Sequence, residues 1–173
     1  MNILMLKRKM KIDKNFKYTK ERFDEAISTR NYLSNFHQLL IPIVDEYNNE
    51  YWNSEGYYMA QRTNDLSIKS EISKLSKMGG KYSMSARYKF DLDKDENNRV
   101  EYMRKAIKLK FDNNLELKEQ LLSIQGEIIE KNYWKDNFFG VTIDSLEGAN
   151  ILGKLLMEYR DANLPKKEFK FFE

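Results

Sequence analysis

Two carboxylates in this 173-residue sequence stand where they could take part in chemistry. Glu55 follows Ser54 at the predicted start of a helix, where the helix dipole favours an ionised carboxylate. Asp136 lies in the aromatic segment WKDNFFG, which could shield a carboxylate from water and hold it against a ring-shaped ligand. Acids at helix N-termini and in turns are also common for structural reasons. The positions alone leave a catalytic role and a structural role open for both residues.

The residue types that are missing narrow the possible chemistry. The sequence has no cysteine and a single histidine, His37. This excludes disulfides, thiolate metal sites and cysteine nucleophiles, and it argues against a multi-histidine zinc site or a serine–histidine triad. We interpret His37 as an ordinary residue beside a strand. Chemistry must then rest on carboxylates, lysines, arginines, asparagines and aromatic residues, and we expect no metal and no cofactor.

A glycine-containing segment near the C-terminus offers a different kind of site. Gly148 and Gly153 bracket Asn150 at the predicted start of the last helix. Backbone N–H groups at a helix start can receive a phosphate or a ribose. Close packing of the glycines against another element accounts for the same spacing equally well, so the pattern alone favours neither interpretation.

The elements that must position these residues are mostly helices. Apolar residues at helical spacing and flanking cap residues predict five of them: a helix over residues 55–62 with Ser54 as its N-cap, one from Asp65 to Gly79 and Gly80, one introduced by Asn97 and Asn98 and broken at Asn113 and Asn114, one continuing to Gly126, and one over residues 149–162. In the first of these, Glu55, Tyr58, Met59 and Arg62 should share a face.

Strands should be short and few. We predict a strand over residues 36–44, a turn at 45–49, a returning strand at 51–52 and a further strand at 127–130; residues 81–94 should be irregular and 131–145 an aromatic loop. The fold class that follows is α+β, mostly α, in one domain. One core should contain seven apolar residues: Met103, Ile107, Phe111, Leu121, Leu152, Leu155 and Leu156.

Charge is distributed unevenly along the chain. Residues 1–22 hold eight basic and two acidic residues, about +6, although the whole chain carries only +3. We therefore divide the chain into a basic N-terminal arm, 1–22, and a domain, 23–173. The arm could bind nucleic acid, because contacts with phosphates release counterions. A solvated terminus is the simpler interpretation, since no base-reading motif accompanies the arm.

Length indicates a single domain, and hydropathy favours a location in the cytoplasm. A chain of this size matches one domain, on a prior of roughly 100–200 residues per domain. No apolar run approaches the roughly 18 residues of a membrane helix, and the first residues lack a signal-peptide core. We expect a cytoplasmic location and no membrane partner; the oligomeric state does not follow from the sequence.

Seven segments, in order from residue 32 to residue 160, resemble the patterns of the NADAR superfamily, which has the YbiA-like fold. They are LSNF at 33–36; SEGYYMAQR at 54–62; MGG at 78–80 with Arg87 and Phe90; YMRKA at 102–106 with Lys110, Phe111, Leu121 and Leu122; Ile129 with Glu130; Asp136 with Phe139 and Gly140; and GANILGKLLMEYR at 148–160. Together they cover roughly 130 residues, and their shared order makes the resemblance specific.

The resemblance implies an N-glycosidase. Members of the superfamily act on phosphoribosylamino-pyrimidine intermediates of riboflavin synthesis or remove ADP-ribose from modified guanine. Cleavage of a C1–N bond passes through an oxocarbenium-like state, so a carboxylate must stabilise positive charge at C1 or activate water. The pattern places Glu55 and Asp136 in these roles. Lys110 matches the lysine of a Lys-Phe pair in the family pattern, and it could capture ribose C1 as a Schiff base.

The resemblance also implies a set of substrate-binding residues. Arg87 and Gln61 would hold phosphate and ribose oxygens, and aromatic rings would stack on the base. The full set is Gln61, Arg62, Arg87, Phe90, Trp134, Phe138, Phe139, Gly148 and Asn150. We expect one pocket to join Glu55, Asp136 and the turn at residues 148–150, and to bind a small nucleotide-like ligand or an ADP-ribosylated base.

Four positions depart from the family pattern. Gly56 stands in place of a histidine, Gly80 in place of an arginine, and Phe90 and Phe139 in place of tryptophans. These changes remove a charged group and two indole N–H donors. They leave two main interpretations: a hydrolase with an altered substrate, or a protein that binds and sequesters a nucleotide-derived ligand on the same fold. A protein that chiefly binds nucleic acid through its arm is a third.

Overall fold

Helices account for about half of residues 10–165, the part of the chain that the computed structural model describes. They are α1 (Lys20–Glu25), α2 (Ser54–Gln61), α3 (Leu66–Met78), α4 (Gly80–Lys89), α5 (Glu96–Asn113), α6 (Leu115–Ser123) and α7 (Ile151–Asn163), with one 3-10 turn at Asn31–Leu33. The strands are β1 (Ile27–Ser28), β2 (Ile43–Val44), β3 (Glu50–Tyr51), β4 (Ile128–Ile129), β5 (Lys131–Asn132) and β6 (Val141–Thr142).

The main core forms where α5 and α7 pack with α2 and α6. Along α5, Val100, Met103, Ile107 and Phe111 repeat at helical spacing, and all four are buried. The seven predicted core residues lie in one buried cluster, which confirms that prediction. The predicted mainly helical α+β fold is also confirmed.

The strands form three separate pairs within residues 10–165. Strands β1 and β4 are parallel, β5 and β6 are parallel, and β2 and β3 are antiparallel with Ile43 opposite Tyr51. The predicted turn at 45–49 is present, because Asp45 accepts hydrogen bonds from the backbone of Tyr47 and Asn49. The predicted strand at 127–130 is present as β4.

The predicted strand over residues 36–44 is wrong for most of its length. Only Ile43 and Val44 pair with another strand, and the returning strand begins one residue early, at Glu50. Ahead of Pro42, the backbone N–H and C=O of Ile41 bond to the side chain of Asn114. A side chain from the α5–α6 junction thus takes the place of a strand partner.

The prediction that residues 81–94 are irregular is wrong, because α4 occupies Gly80–Lys89. The buried residues of α4 are Gly80, Ser83 and Ala86. These small side chains allow α4 to pack closely on α2 and α3. They also carry too little hydrophobicity to produce a visible helical stripe.

Smaller corrections concern element ends. The N-cap of α2 is Asn53 rather than Ser54, since its side chain accepts from the Gly56 N–H. Helix α5 begins at Glu96 behind the cap Asp95, α6 ends at Ser123, and α7 covers Ile151–Asn163. The predicted loop at 131–145 contains β5 and β6.

The described part of the predicted arm, residues 10–22, packs on the domain. Tyr18 is buried, and its N–H donates to the Leu146 carbonyl at 2.8 Å. Arg22 forms a two-pronged ion pair with Glu127. Lys7, Arg8 and Lys9 lie outside the described residues, and the boundary after residue 22 stays a prediction.

Among the helices of residues 10–165, none combines the length and apolar character needed to cross a lipid bilayer.

Gly80 is expected to tolerate no side chain, because α4 begins against the backbone of Phe36. A Cβ at Gly80 would overlap the Phe36 Cα. Gly80→Ala should therefore cost roughly 1–3 kcal/mol of unfolding free energy, as overpacking does, although alanine normally favours a helix. Urea denaturation measures the effect. Lys81→Ala, at an exposed neighbour, should change stability by less than about 0.5 kcal/mol; a Gly80→Ala protein as stable as wild type would contradict the packing argument.

Candidate active site

A cavity of about 360 Å³ opens between α2, α4, the start of α5 and the β5–β6 connection. Its volume lies in the range of small-molecule binding sites. Three carboxylates line it, together with four basic residues and several aromatic rings. The carboxylates are Glu55, Glu130 and Asp136, and the basic residues are Arg62, Arg87, Lys94 and Arg99.

The start of α2 is fixed by a buried hydrogen-bond network. The Asn53 side-chain oxygen accepts from the Gly56 N–H and the Ser83 hydroxyl, both at 2.8 Å, and its amide donates to the Ser76 carbonyl at 3.0 Å. The Glu55 N–H donates to the Asn35 carbonyl at 3.1 Å. The first turn of α2 is therefore joined to α3, α4 and the segment that follows the 3-10 turn.

Glu55 points into the cavity from this turn. Its side chain is on the face predicted from helical spacing, with Tyr58, Met59 and Arg62, which also line the cavity. Only 7% of Glu55 is exposed, and burial raises its pKa to about 7, with Arg62 opposing and Asp136 adding to the rise. The helix dipole was expected to favour the ionised form of Glu55, whereas desolvation by burial raises its pKa and favours the protonated form. No side chain or N–H within residues 10–165 donates a hydrogen bond to this carboxylate.

Glu130 is a second acid on the cavity wall, partly buried and directly after β4. Its N–H donates to the Asn150 side chain at 3.0 Å, and its carbonyl accepts from the Val141 N–H at 2.7 Å. Burial raises the pKa of Glu130 to about 8, and the charges of Asp136 and Glu55 contribute to the rise. The sequence reasoning did not select Glu130 as a site residue. Its signals were an acid at a strand end and the match of Ile129 and Glu130 to a family segment.

Asp136 has a structural role as well as a place in the cavity. Its Oδ1 accepts from the backbone N–H groups of Phe138 and Phe139, both at 3.0 Å. The Asn132 side chain bonds to both the N–H and the carbonyl of Asp136. The turn interpretation is therefore correct. Asp136 also lines the cavity with Glu55 and Glu130, and its charge raises the pKa of both glutamates.

Three arginines on the cavity wall form no ion pair within residues 10–165. The Arg62 Nε donates to the Asp93 carbonyl, and the Arg99 Nε donates to the Tyr58 hydroxyl at 3.0 Å. Arg99 also lies over the ring of Phe138, at 4.3 Å, and Arg87 over the ring of Tyr88, at 4.6 Å. Guanidinium groups held in this way can accept an anionic ligand. Arg99 was not predicted, because a basic residue beside an apolar stripe is an ordinary sequence signal.

Lys110 lies behind the cavity rather than on its wall. It is 1% exposed, and its amine donates to the Ser34 carbonyl at 2.9 Å. Burial lowers the pKa of Lys110 to about 7. Ser34 itself lines the cavity. The amine is therefore separated from the cavity by one backbone segment, and its chemical role stays a prediction.

The other predicted site residues divide into two groups. Arg62, Arg87, Trp134 and Phe139 line the same cavity as Glu55 and Asp136, whereas Gln61, Phe90, Phe138, Gly148 and Asn150 do not. The turn at residues 148–150, which we expected to join the pocket, instead supports it. A Cβ at Gly148 would overlap the Gly140 carbonyl oxygen, and Asn150 bonds to Ile128 and Glu130.

Most departures from the family pattern lie away from the cavity. A Cβ at Gly56 would lie 2.7 Å from the Ser76 Cβ, so this glycine permits close packing on α3. Gly80 packs on Phe36, and Phe90 packs against the core at the end of α4. Of the four departures, only Phe139 lines the cavity.

These features define a mainly helical α+β domain with a ligand cavity walled by carboxylates and guanidinium groups. The NADAR domain family model matches residues 18–162. The chain belongs to this family, which confirms the resemblance seen in the sequence.

Curated relatives and a solved structure agree with this assignment. The chain is 32% identical over 119 residues to N-glycosidase YbiA of Escherichia coli, a match that covers 62% of this chain and 68% of YbiA. The NMR structure of E. coli YbiA has a TM-score of 0.60 at 31% identity, covering 75% of each chain. The riboflavin biosynthesis protein VVA0006 of Vibrio vulnificus is 29% identical over 147 residues, which are 80% of this chain but only 37% of the Vibrio protein.

The raised pKa of Glu130 predicts a pH-dependent effect of removing its charge. Folding raises the pKa of Glu130 from 4.5 to about 8, so ionisation of Glu130 destabilises the folded state. The resulting loss of unfolding free energy is absent below about pH 4.5 and reaches its full size above about pH 8. Glu130→Gln should therefore be more stable than wild type at pH 8.5, by roughly 1–3 kcal/mol, and no more stable at pH 4.5. Urea denaturation at both pH values measures this, with exposed Glu119→Gln as control. A loss of stability at pH 8.5 would contradict the assigned burial.

Proposed function

We propose that this chain is an N-glycosidase that hydrolyses the C1–N bond of a nucleotide-type or ADP-ribosyl substrate. The observation that carries the proposal is the pair of acids on the cavity wall, buried Glu55 and partly buried Glu130, whose pKa values are raised to about 7 and about 8. Three guanidinium groups that form no ion pair within residues 10–165 line the same cavity. Relatives named as an N-glycosidase and as a riboflavin biosynthesis protein support the reaction type.

The carboxylates supply what this reaction needs. A carboxyl group with a pKa near 7 can give a proton to a departing base or take one from water at neutral pH. Because the charge of Asp136 raises the pKa values of both Glu55 and Glu130, and Glu55 also acts on Glu130, one glutamate can stay protonated while the other is ionised. We assign Glu55 to the activation of water at C1 and Glu130 to protonation of the leaving base. Asp136 contributes negative charge that stabilises the oxocarbenium-like state.

The rest of the cavity fits a phosphorylated ribosyl ligand. Arg62, Arg87 and Arg99 would hold phosphate oxygens, since planar guanidinium groups bind phosphate with two parallel hydrogen bonds. Phe139 and the exposed Trp134 offer faces on which a base can stack. Phosphoribosylamino-pyrimidines and ADP-ribosylated guanine both present these groups, and we keep both as candidate substrates.

Lys110 offers a covalent variant of this mechanism. A neutral amine is needed to form a Schiff base, and the lowered pKa of Lys110 supplies one near pH 7. The amine would have to leave the Ser34 carbonyl to reach ribose C1. Borohydride reduction during turnover would trap such an adduct on wild type and not on Lys110→Arg.

A second candidate function, sequestration of a nucleotide-derived ligand, rests on one observation. Phe139 lies on the cavity wall where the family pattern has tryptophan, so an indole N–H donor is missing at the site itself. The other three departures lie elsewhere, which is why we place hydrolysis first. A sequestering protein would bind ribosylated ligands and release no base from them.

Glu55→Gln should abolish turnover and leave ligand affinity nearly unchanged. The amide keeps the shape of the side chain but can neither accept a proton from water nor carry charge near C1; loss of one general base typically costs roughly 10²–10⁴ in rate. Chromatography of free base released from ribosylated substrates gives the rate, and calorimetry gives the affinity.

Glu119→Gln, at an exposed position of α6, is the control for removing a glutamate charge. It should keep the wild-type rate. A Glu55→Gln variant with near-full turnover would end the assigned role, and a wild type that binds but never releases base would establish sequestration instead.

Arg87→Met should weaken binding of phosphorylated ligands selectively. Charge-assisted hydrogen bonds contribute about 1.5–3 kcal/mol, so we expect roughly a 10- to 100-fold loss of affinity for a nucleoside monophosphate. Affinity for the unphosphorylated nucleoside should change little. Lys74→Met, which removes an exposed charge on α3, controls for net charge. Equal losses for both ligands would show that Arg87 does not recognise phosphate.

A further inference from the structure

Two elements that line the cavity carry aromatic side chains that are exposed to solvent. Within residues 10–165, five aromatic residues are at least half exposed: Tyr47, Tyr82, Tyr88, Tyr133 and Trp134. Tyr88, 75% exposed, and Trp134, 65% exposed, both line the cavity, one on α4 and one after β5. Tyr82 lies on the same helix as Tyr88, and Tyr133 precedes Trp134. Four of the five therefore lie on the two elements that border the opening.

The charge beside these rings is positive. Helix α4 carries Lys81, Arg87 and Lys89 and no acidic residue. This contrasts with the chain beyond residue 22, which is about −3 overall. The acids that follow α4 are engaged locally: Asp93 accepts from Asn98 and Tyr102, Asp95 caps α5, and Asp91 pairs with Lys94.

We propose that this rim, formed by α4 and residues 133–135, binds single-stranded nucleic acid. Non-specific recognition of single strands combines a positively charged track for the backbone with exposed rings on which successive bases stack. Tyr88 and Trp134, from two different elements that line the cavity, provide the rings, and Lys81, Arg87 and Lys89 provide the charge. A strand held on this rim would present one nucleotide to the cavity while its neighbours stack outside.

Duplex nucleic acid fits the rim less well. Its bases are already stacked and paired, so their faces are not available to Tyr88 and Trp134. Single strands leave those faces free. Lys7, Arg8 and Lys9 lie outside the described residues, and their contribution can be tested independently.

Binding of a fluorescein-labelled, unmodified 12-mer oligothymidylate tests the proposal, and this does not depend on the proposed hydrolysis because no bond is cleaved. Fluorescence anisotropy with the full chain should give salt-dependent binding that is weaker for a duplex of the same length. Tyr88→Ala and Trp134→Ala should each weaken it by about 5- to 150-fold, the effect of removing one base–ring stack. Tyr47→Ala, a half-exposed tyrosine on the β2–β3 turn, should leave the affinity unchanged.

Two further measurements distinguish binding at the rim from binding elsewhere on the chain. Lys81→Ser combined with Lys89→Ser should weaken binding and reduce its dependence on salt, because fewer counterions are released. Intrinsic fluorescence should be quenched on binding in wild type and not in Trp134→Phe, which retains a stacking ring. Absence of wild-type binding at about 50 mM salt, where phosphate contacts are strong, would overturn the proposal. So would binding that survives both alanine variants but is lost when Lys7, Arg8 and Lys9 are replaced by serine, since that result would assign the strand to the N-terminal arm.

Discussion

The position of Glu55 depends on the Asn53 side chain, which is completely buried and bonds to three helices at once. Asn53 caps α2 through the Gly56 N–H, accepts from Ser83 of α4 and donates to Ser76 of α3. All of these groups are buried, so each would be costly to leave unpaired. The network offsets the cost of holding an acid next to it in a water-poor cavity, and it prevents the first turn of α2 from moving Glu55 into solvent.

The cavity keeps acids and guanidinium groups close together without letting them neutralise one another. Arg62 is held by the Asp93 carbonyl and Arg99 by the Tyr58 hydroxyl, and neither forms an ion pair within residues 10–165. If the arginines paired with Glu55 or Glu130, the paired acids would stay ionised. The positive charge of the arginines would then no longer be available to an anionic ligand. The present arrangement leaves the acids with raised pKa values and leaves the arginines available. It lowers the stability of the fold, a cost that is common at functional sites.

The sequence predicted the parts of the molecule whose signal is periodic or local. The stripe along α5 identified the core, and helical spacing placed Glu55, Met59 and Arg62 on one face. Helix α4 was missed because its buried face consists of Gly80, Ser83 and Ala86, which pack well but carry little hydrophobic signal. Glu130 and Arg99 were missed for another reason. Nothing in the sequence indicates that the end of β4 and the start of α5 meet at the first turn of α2; that proximity arises only from the packing of the helices.

Gly148 and Asn150, in the recognisable segment at residues 148–160, support the cavity without lining it. Asn150 adopts a left-handed backbone conformation, with φ 51°, at the start of α7. Its side chain donates to the Ile128 carbonyl and accepts from the Glu130 N–H, so it holds the backbone on both sides of Ile129, the residue before the acid. Gly148 and Gly153 let the backbone approach β6 and β4 closely enough for these bonds to form. The close packing of these glycines supports the structural interpretation, and the phosphate-binding role stays a prediction. Asn150, at the start of α7, bonds to the backbone on both sides of Ile129 in β4, and the Glu130 side chain follows β4 on the cavity wall that it shares with Glu55.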